Sequence, residues 1–199
     1  MEETPKTDPF GDGVTEETKK IARDNALKFG LYLGGISILM QLALYFVNPL
    51  IVVTTPAVVY GILIISIALD VYFILEFRKA IGGHWNFRLA FSSIFLMLLI
   101  SAICSQIYQV VLYKVIDKEL PQKITDASLE KARNDMAARG LSSEQIESSM
   151  TMVKKWIPEQ GSISTILMGL VVSAIFSIIF ALIFAAIFKK EKPIFSTSA

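Results

Sequence analysis

The sequence predicts an all-α polytopic membrane protein with four transmembrane helices and an extracytoplasmic helical hairpin between the third and fourth. Three observations carry this expectation. Four apolar stretches, Phe29–Val47, Pro56–Phe77, Leu89–Tyr113 and Ile163–Phe188, are each long enough to cross a bilayer, which takes about 20 mostly apolar residues at 1.5 Å rise per residue. Basic residues gather in short flanks beside alternate ends of these stretches. The longest polar segment, Lys114–Ser162, carries two amphipathic helical patterns. A soluble domain would not hold four such runs, because its helices are apolar on one stripe only.

Composition narrows the classes further. The chain has 199 residues, 53% of them hydrophobic, and a formal net charge of +1. That balance gives no footing for nucleic acid, and the cytoplasmic segments are too short to fold a nucleic-acid module. Cys104 is the single cysteine, so no intramolecular disulfide forms and paired-thiol redox chemistry is excluded. Acidic and basic residues are mixed throughout the chain ahead of the first apolar run. A secretory signal would instead place a short basic region directly before its apolar core, so the first span reads as a retained anchor.

Residues 1–14 hold prolines, glycines and acids without apolar periodicity and read as a disordered tail. Thr15 is a candidate N-cap, followed by Glu16 and Glu17 where the helix dipole favours acids. Ile21, Ala22 and Ala26 continue the helical spacing into Phe29, so the first helix starts outside the lipid and runs into it. Asn48-Pro49 stops it. A short uncharged connection leads to Thr55-Pro56, an N-cap followed by proline at the first helical position. Arg78–Arg88 joins the second and third spans. Its Gly82-Gly83 pair supplies the turn, and Trp85 and Phe87 suit the headgroup level.

The segment Lys114–Ser162 reads as two short helices. Pro121 opens the first, which carries Leu129, Ala132 and Met136 and closes at Gly140 as a C′ residue. Ser142 with Gln145 matches a capping box for the second. Its apolar stripe is Ile146, Met150, Val153 and Ile157, and Pro158 ends it. The expected organisation is a tail at 1–14, a membrane domain at 15–192 with this hairpin at 114–162, and a C-terminal tail at 193–199. Short basic flanks mark the cytoplasmic side. Lys19, Lys20, Arg23 and Lys28, then Arg78, Lys79 and Arg88, then Lys189, Lys190 and Lys192 all fall on one side of a four-span chain. Both termini are therefore expected in the cytoplasm.

The order of these features carries a resemblance. Two spans are followed by Arg78-Lys79, Gly82-Gly83 and a Phe-x-x-Ala-Phe entry at Phe87–Phe91. Tyr113–Asp117 leads into the hairpin, whose turn reads Gly140-Leu141-Ser142-Ser143-Glu144-Gln145-Ile146-Glu147, and Lys189-Lys190 follows the last span. This resembles a bacterial family of small four-span membrane proteins catalogued as a domain of unknown function (number 4199), over roughly residues 25–192. Members of that family often have Asp-Pro after the third span, where Asp117 is followed here by Lys118. The resemblance implies four helices with an outward hairpin in a bacterial inner membrane, and no known activity.

Polar residues inside lipid are the candidate functional positions. Asp70 lies within the second span, where a carboxylate costs roughly 2–3 kcal/mol relative to an apolar residue. It either binds a proton or cation, or makes a structural hydrogen bond to Ser37, Tyr32 or a partner subunit. Ser93, Ser101, Ser105 and Gln109 share one face of the third span beside Gln106 and Tyr108. They either line an aqueous path or hold helices together. A stripe of small residues at every fourth position, Gly161, Thr165, Gly169, Ser173, Ser177, Ala181 and Ala185, runs along the fourth span. Gly30 and Gly34 begin a shorter one in the first, continuing to Ser37 and Gln41. Such spacing lets backbones approach closely, either between spans one and four or at a subunit interface. Met150 and Ile157 are a candidate partner surface if the hairpin leaves them uncovered.

The chemistry inventory is thin. His84 is the only histidine and has no second soft ligand for a metal, and Gly82-Gly83 lacks the rest of any phosphate-binding fingerprint. No cofactor, metal or catalytic set is expected. The expected role is a non-catalytic accessory or scaffolding subunit of a cell-envelope membrane complex, in a secretion, translocation or respiratory setting. Its partners are the lipid bilayer and other membrane subunits or a second copy. The alternative is a small oligomeric carrier or channel using Asp70 and the polar face of span three.

Overall fold

A computed structural model describes residues 15–157 and 160–190, with Trp156 followed in its backbone only. The expected tails at 1–14 and 193–199, and Pro158, lie outside the described residues. The helices are α1 (Glu16–Val47), α2 (Ile51–Thr54), α3 (Pro56–Ala80), α4 (Phe87–Val111), α5 (Leu120–Ala138), α6 (Ser143–Trp156) and α7 (Ile163–Phe188). The described residues contain no strand, and α1, α3, α4 and α7 are long and apolar enough to cross a membrane. The protein is an all-α, four-span, multi-pass membrane protein in contact with the lipid bilayer.

Local chemistry sets the helix ends. Thr15 Oγ1 accepts from the Thr18 amide at 3.2 Å, and this cap starts α1. Asn86 Oδ1 does the same for Leu89 at 2.8 Å at the start of α4. Ser142 and Gln145 form the reciprocal capping box of α6, with bonds of 3.3 and 2.9 Å. Gly140 takes φ +81° and closes α5, with Gly140 N donating to Ala137 O and Leu141 N to Met136 O. That pair of bonds is the αL stop that only glycine adopts without strain. Two ends differ from expectation. α4 does not stop near Tyr113 but passes into a π-helical turn, Leu112–Ile116. Its exit is set by Asp117, whose Oδ1 accepts from the Glu119 and Leu120 amides at 3.1 and 3.0 Å and so caps α5 ahead of Pro121.

The chain forms two compact units. The first holds the described parts of Met1–Ile36, Ile67–Cys104 and Val172–Ala199. Its core joins Ala22, Ala26 and Leu33 of α1, Phe73, Ile74 and Phe77 of α3, Ala90, Ile94 and Met97 of α4, and Ala181, Phe184 and Ala185 of α7. Phe29 of α1 sits 5.8 Å from the rings of both Phe73 and Phe77. Trp85 closes this unit. It is 2% exposed. Its Nε1–H donates to Phe188 O at 2.9 Å, its ring meets Phe77 edge-on at 5.3 Å, and its backbone exchanges two 3.0 Å bonds with Lys190. A buried indole N–H takes a hydrogen-bond partner. The 81–86 connection is thereby tied to the end of α7, as four spans require.

The second unit holds Ser37–Ser66 and Ser105–Val171. Tyr108, Leu112 and Leu120 form its core, with Ile38, Leu42, Tyr45, Leu50, Tyr113 and Ile124 packed around them. In the connection after α1, α2 forms and packs on α5, and α5 packs on α6. Gly161, at φ +77°, turns the chain into α7 with its Cα side against Pro121.

Trp85→Phe should keep the Phe77 contact and lose the bond to Phe188, lowering stability by about 0.5–1.5 kcal/mol. Trp85→Ala should cost about 3–5 kcal/mol through the cavity it opens. Thermal denaturation of the detergent-solubilised protein measures both.

Candidate functional site

The small-residue positions are helix contacts. A Cβ on Gly30 would lie 2.8 Å from both Ile100 Cβ and Met97 O, and one on Gly34 would lie 2.7 Å from Cys104 Cβ. The first-span glycines therefore press α1 onto α4, not onto the fourth span as the spacing led one to expect. In α7, Ser177 and Ala181 are buried in the core of the first unit, and Ser177 Oγ donates to Ser173 O at 2.8 Å. In the second unit, a Cβ on Gly169 would lie 3.1 Å from Gln106 Nε2 of α4. Both seams are used inside the chain, and α4 is a partner in each.

Asp70 sits on the stripe of α3 that also carries Phe73, Ile74 and Phe77, three and four residues apart, and so faces the interior of the first unit. Its carboxylate has no hydrogen-bond or ion-pair partner among the described residues, which leaves open a proton, a cation or a donor from another subunit. Ser93 is buried at 4% exposure, and Ser101 lies behind Gly34, its Cα 3.5 Å from the position of a Cβ there. These two are packing residues of α4.

In the second unit the structure brings two of the expected polar residues together. Gln41 and Gln109, with Tyr45, Asn48, Tyr108 and Tyr113, line a cavity of about 360 Å³ whose remaining wall is apolar, including Leu44, Val52, Leu112, Leu120 and Ile124. Gln41 donates to its own helix at Ser37 O, 3.3 Å away. Tyr108 is 8% exposed, and its hydroxyl is buried without a partner, as is Gln106 Oε1. Ser105 is half-buried in the same unit and does not line the cavity. Asp70 does not line it either.

A second concavity was not foreseen from sequence. An open depression of about 400 Å³ is lined by Tyr113, Lys114, Lys118, Gln122, Thr125 and Gln160 among others. Beside it Asp117 is occupied: besides capping α5 it accepts from Tyr45 Oη at 3.4 Å and lies 4.0 Å from Lys123. Glu119 pairs with Lys123 at 3.1 Å, and this hydrogen bond, then the charge of Asp117, holds the Lys123 ammonium above the usual lysine range. The signal in the sequence was there, two lysines one turn past a span end, but its other half comes from residues more than thirty positions away.

The hairpin stripe fits an internal core better than a partner surface: Met150 is 4% exposed, and Ile157 is half-buried. The reason is pairing of two amphipathic helices: Leu129, Ala132 and Met136 of α5 are half-buried, α5 packs on α6, and Arg133 meets Glu147 at 3.1 Å. The exposed methionine of α6 is Met152, at 65%. Among the described residues no group of three His, Cys, Asp or Glu is placed to hold a metal ion, and His84 Nδ1 lies 3.4 Å from Gly82 O within its own turn.

Comparison with known proteins gives a family. The family described as "Protein of unknown function (DUF4199)" matches residues 28–190, and the chain belongs to it. No curated protein and no solved structure matches.

Met150→Lys should lower protein abundance in membranes several-fold, since it buries an ammonium in the α5–α6 contact. Met152→Lys should leave abundance within experimental error of the parent, as read by quantitative immunoblotting.

Proposed function

We propose that this member of the family is a non-catalytic accessory subunit of a cell-envelope membrane complex. It is seated in the bacterial cytoplasmic membrane with both termini in the cytoplasm and α5–α6 outside. The observation that carries this reading is the use made of polar residues within the spans. Gln41 bonds to Ser37 O, Ser177 to Ser173 O, Ser101 backs the Gly34 contact, and Ser93 is buried. The first two bond back to their own helices and the last two are packed into the protein, so these residues serve the fold, and such a protein acts through what it contacts. The orientation rests on the basic flanks Lys19–Lys28, Arg78–Arg88 and Lys189–Lys190. The tie between Trp85 and Lys190 supports it by joining two of these flanks in one unit.

Asp70 is the observation that favours a second reading, a small oligomeric carrier. An inward-facing carboxylate without a partner among the described residues suits a proton or cation. In the accessory reading the same group takes a donor from a neighbouring subunit.

Two measurements test the proposal together. In a Cys104→Ala background, an impermeant maleimide should label Ser148→Cys but not Ser196→Cys in intact spheroplasts; the reverse pattern overturns the orientation. After gentle detergent extraction the protein should run as a heteromeric complex of fixed stoichiometry, which Asp70→Leu loosens more than Asp70→Asn. A homo-oligomer with proton-coupled uptake, abolished by both substitutions, would replace the accessory reading with the carrier.

A further inference from the structure

The cavity and the lysine depression of the second unit share Tyr113. One is mostly apolar and about 360 Å³, and the other is polar, open and about 400 Å³. We propose that together they form a binding site for one phosphate-headed anionic membrane lipid, its phosphate held by Lys114 and Lys118 and part of an acyl chain lodged in the cavity. The proposal stands apart from the accessory-subunit reading and from the orientation of the chain, since either leaflet supplies such lipids.

Charge supports the headgroup end. Among the described residues neither Lys114 nor Lys118 has a carboxylate partner. The two acids between them and Lys123 are already engaged. Asp117 takes two backbone amides, the Tyr45 hydroxyl and the flank of Lys123, while Glu119 pairs with Lys123. Three lysines against two acids leave one net positive charge there, and Lys114 and Lys118 are the two that line the depression without a carboxylate partner among the described residues. The Gln160 amide adds a neutral donor at its wall, of the kind a phosphodiester accepts from, whereas the Gln122 amide already donates to Asp126 Oδ1 at 2.9 Å. The Thr125 hydroxyl is turned away, donating to Pro121 O at 3.0 Å.

Position supports the lipid as the source of that phosphate. The depression opens where α4 leaves its membrane-crossing segment, Phe87–Ile116, so it lies at headgroup depth. Basic side chains at that depth attract anionic lipids. The adjoining cavity has the size of a small-molecule site and a mostly apolar wall with a few polar groups, the composition of a ligand pocket. Free phosphate would use the lysines and leave that cavity unfilled.

The test uses the full-length protein, delipidated in detergent and returned to nanodiscs or mixed micelles of defined composition. Native mass spectrometry should show one phosphatidylglycerol retained in preference to phosphatidylcholine, and phosphatidylglycerol should raise the melting temperature where phosphatidylcholine does not. Lys114→Gln with Lys118→Gln should weaken this retention roughly 30-fold, from a contribution of about fivefold per basic residue at a membrane surface. Lys131→Gln with Lys154→Gln, on the hairpin away from the depression, should leave it unchanged. Inorganic phosphate and glycerol phosphate at millimolar concentration should give no shift. Equal retention of the two lipids, or unchanged retention in the Lys114/Lys118 variant, would overturn the site. A shift from glycerol phosphate matching that from the lipid would overturn the acyl-chain half and leave an anion site. Because both lysines are exposed, the double variant folds, and its melting temperature without lipid serves as the control.

Discussion

The fold depends on how closely α1 approaches α4. At Gly30 and Gly34 there is no room for a single carbon: a Cβ would come within 2.8 Å of a backbone carbonyl in one case and 2.7 Å of Cys104 Cβ in the other. In lipid no hydrophobic gain drives helices together, since the tails are as apolar as leucine. Association rests instead on dispersion between surfaces in full contact, which falls steeply with small gaps. Two missing side chains, one turn apart, give α1 and α4 that contact. α4 then serves α7 as well, through Gln106 against Gly169 in the second unit and through the shared core of the first.

Each unit is finished at its wet end by one polar device. In the first, Trp85 is bonded to Phe188 and Lys190, so a glycine turn without much apolar content is held to the end of α7. In the second, Asp117 caps α5, receives Tyr45 from α1 and faces Lys123. One carboxylate thereby accepts from several donors at once, which is how a group at a membrane surface repays its desolvation. The consequence for chemistry is that the neighbouring lysines at 114 and 118 keep their charge uncommitted.

The spans were legible because lipid imposes length and forbids charge, and the caps at Thr15, Ser142 and Gly140 because backbone stereochemistry and orphan amides demand particular residues. What sequence could not supply was partnership. Four-residue spacing marks a close-packing face on Gly30 and Gly34 but not the helix it meets, so α7 was expected where α4 stands. Trp85 suits the headgroup level by residue type, but its bond to Phe188 O pairs residues 103 positions apart and has no local signal. Whether Met150 is covered depends on how α6 packs, and the stripe alone does not say; it is buried. Gln41 and Gln109 were picked out singly as intramembrane polar residues, and the cavity that joins them is made by the fold. The lysine depression draws on residues near 114 and near 160, and no local pattern links the two.

The central claim, that contact between α1 and α4 at Gly30 and Gly34 holds the membrane domain together, is open to a direct test. Four single alanine substitutions, at Gly30, Gly34, Gly35 and Gly61, can be compared by thermal denaturation in one detergent. Alanine has the higher helix propensity, and nothing lies within 4 Å of a Cβ at Gly35 or Gly61. The account predicts unchanged or raised melting temperatures for Gly35→Ala and Gly61→Ala, and a marked fall for Gly30→Ala and Gly34→Ala. Equal melting temperatures across all four would contradict it.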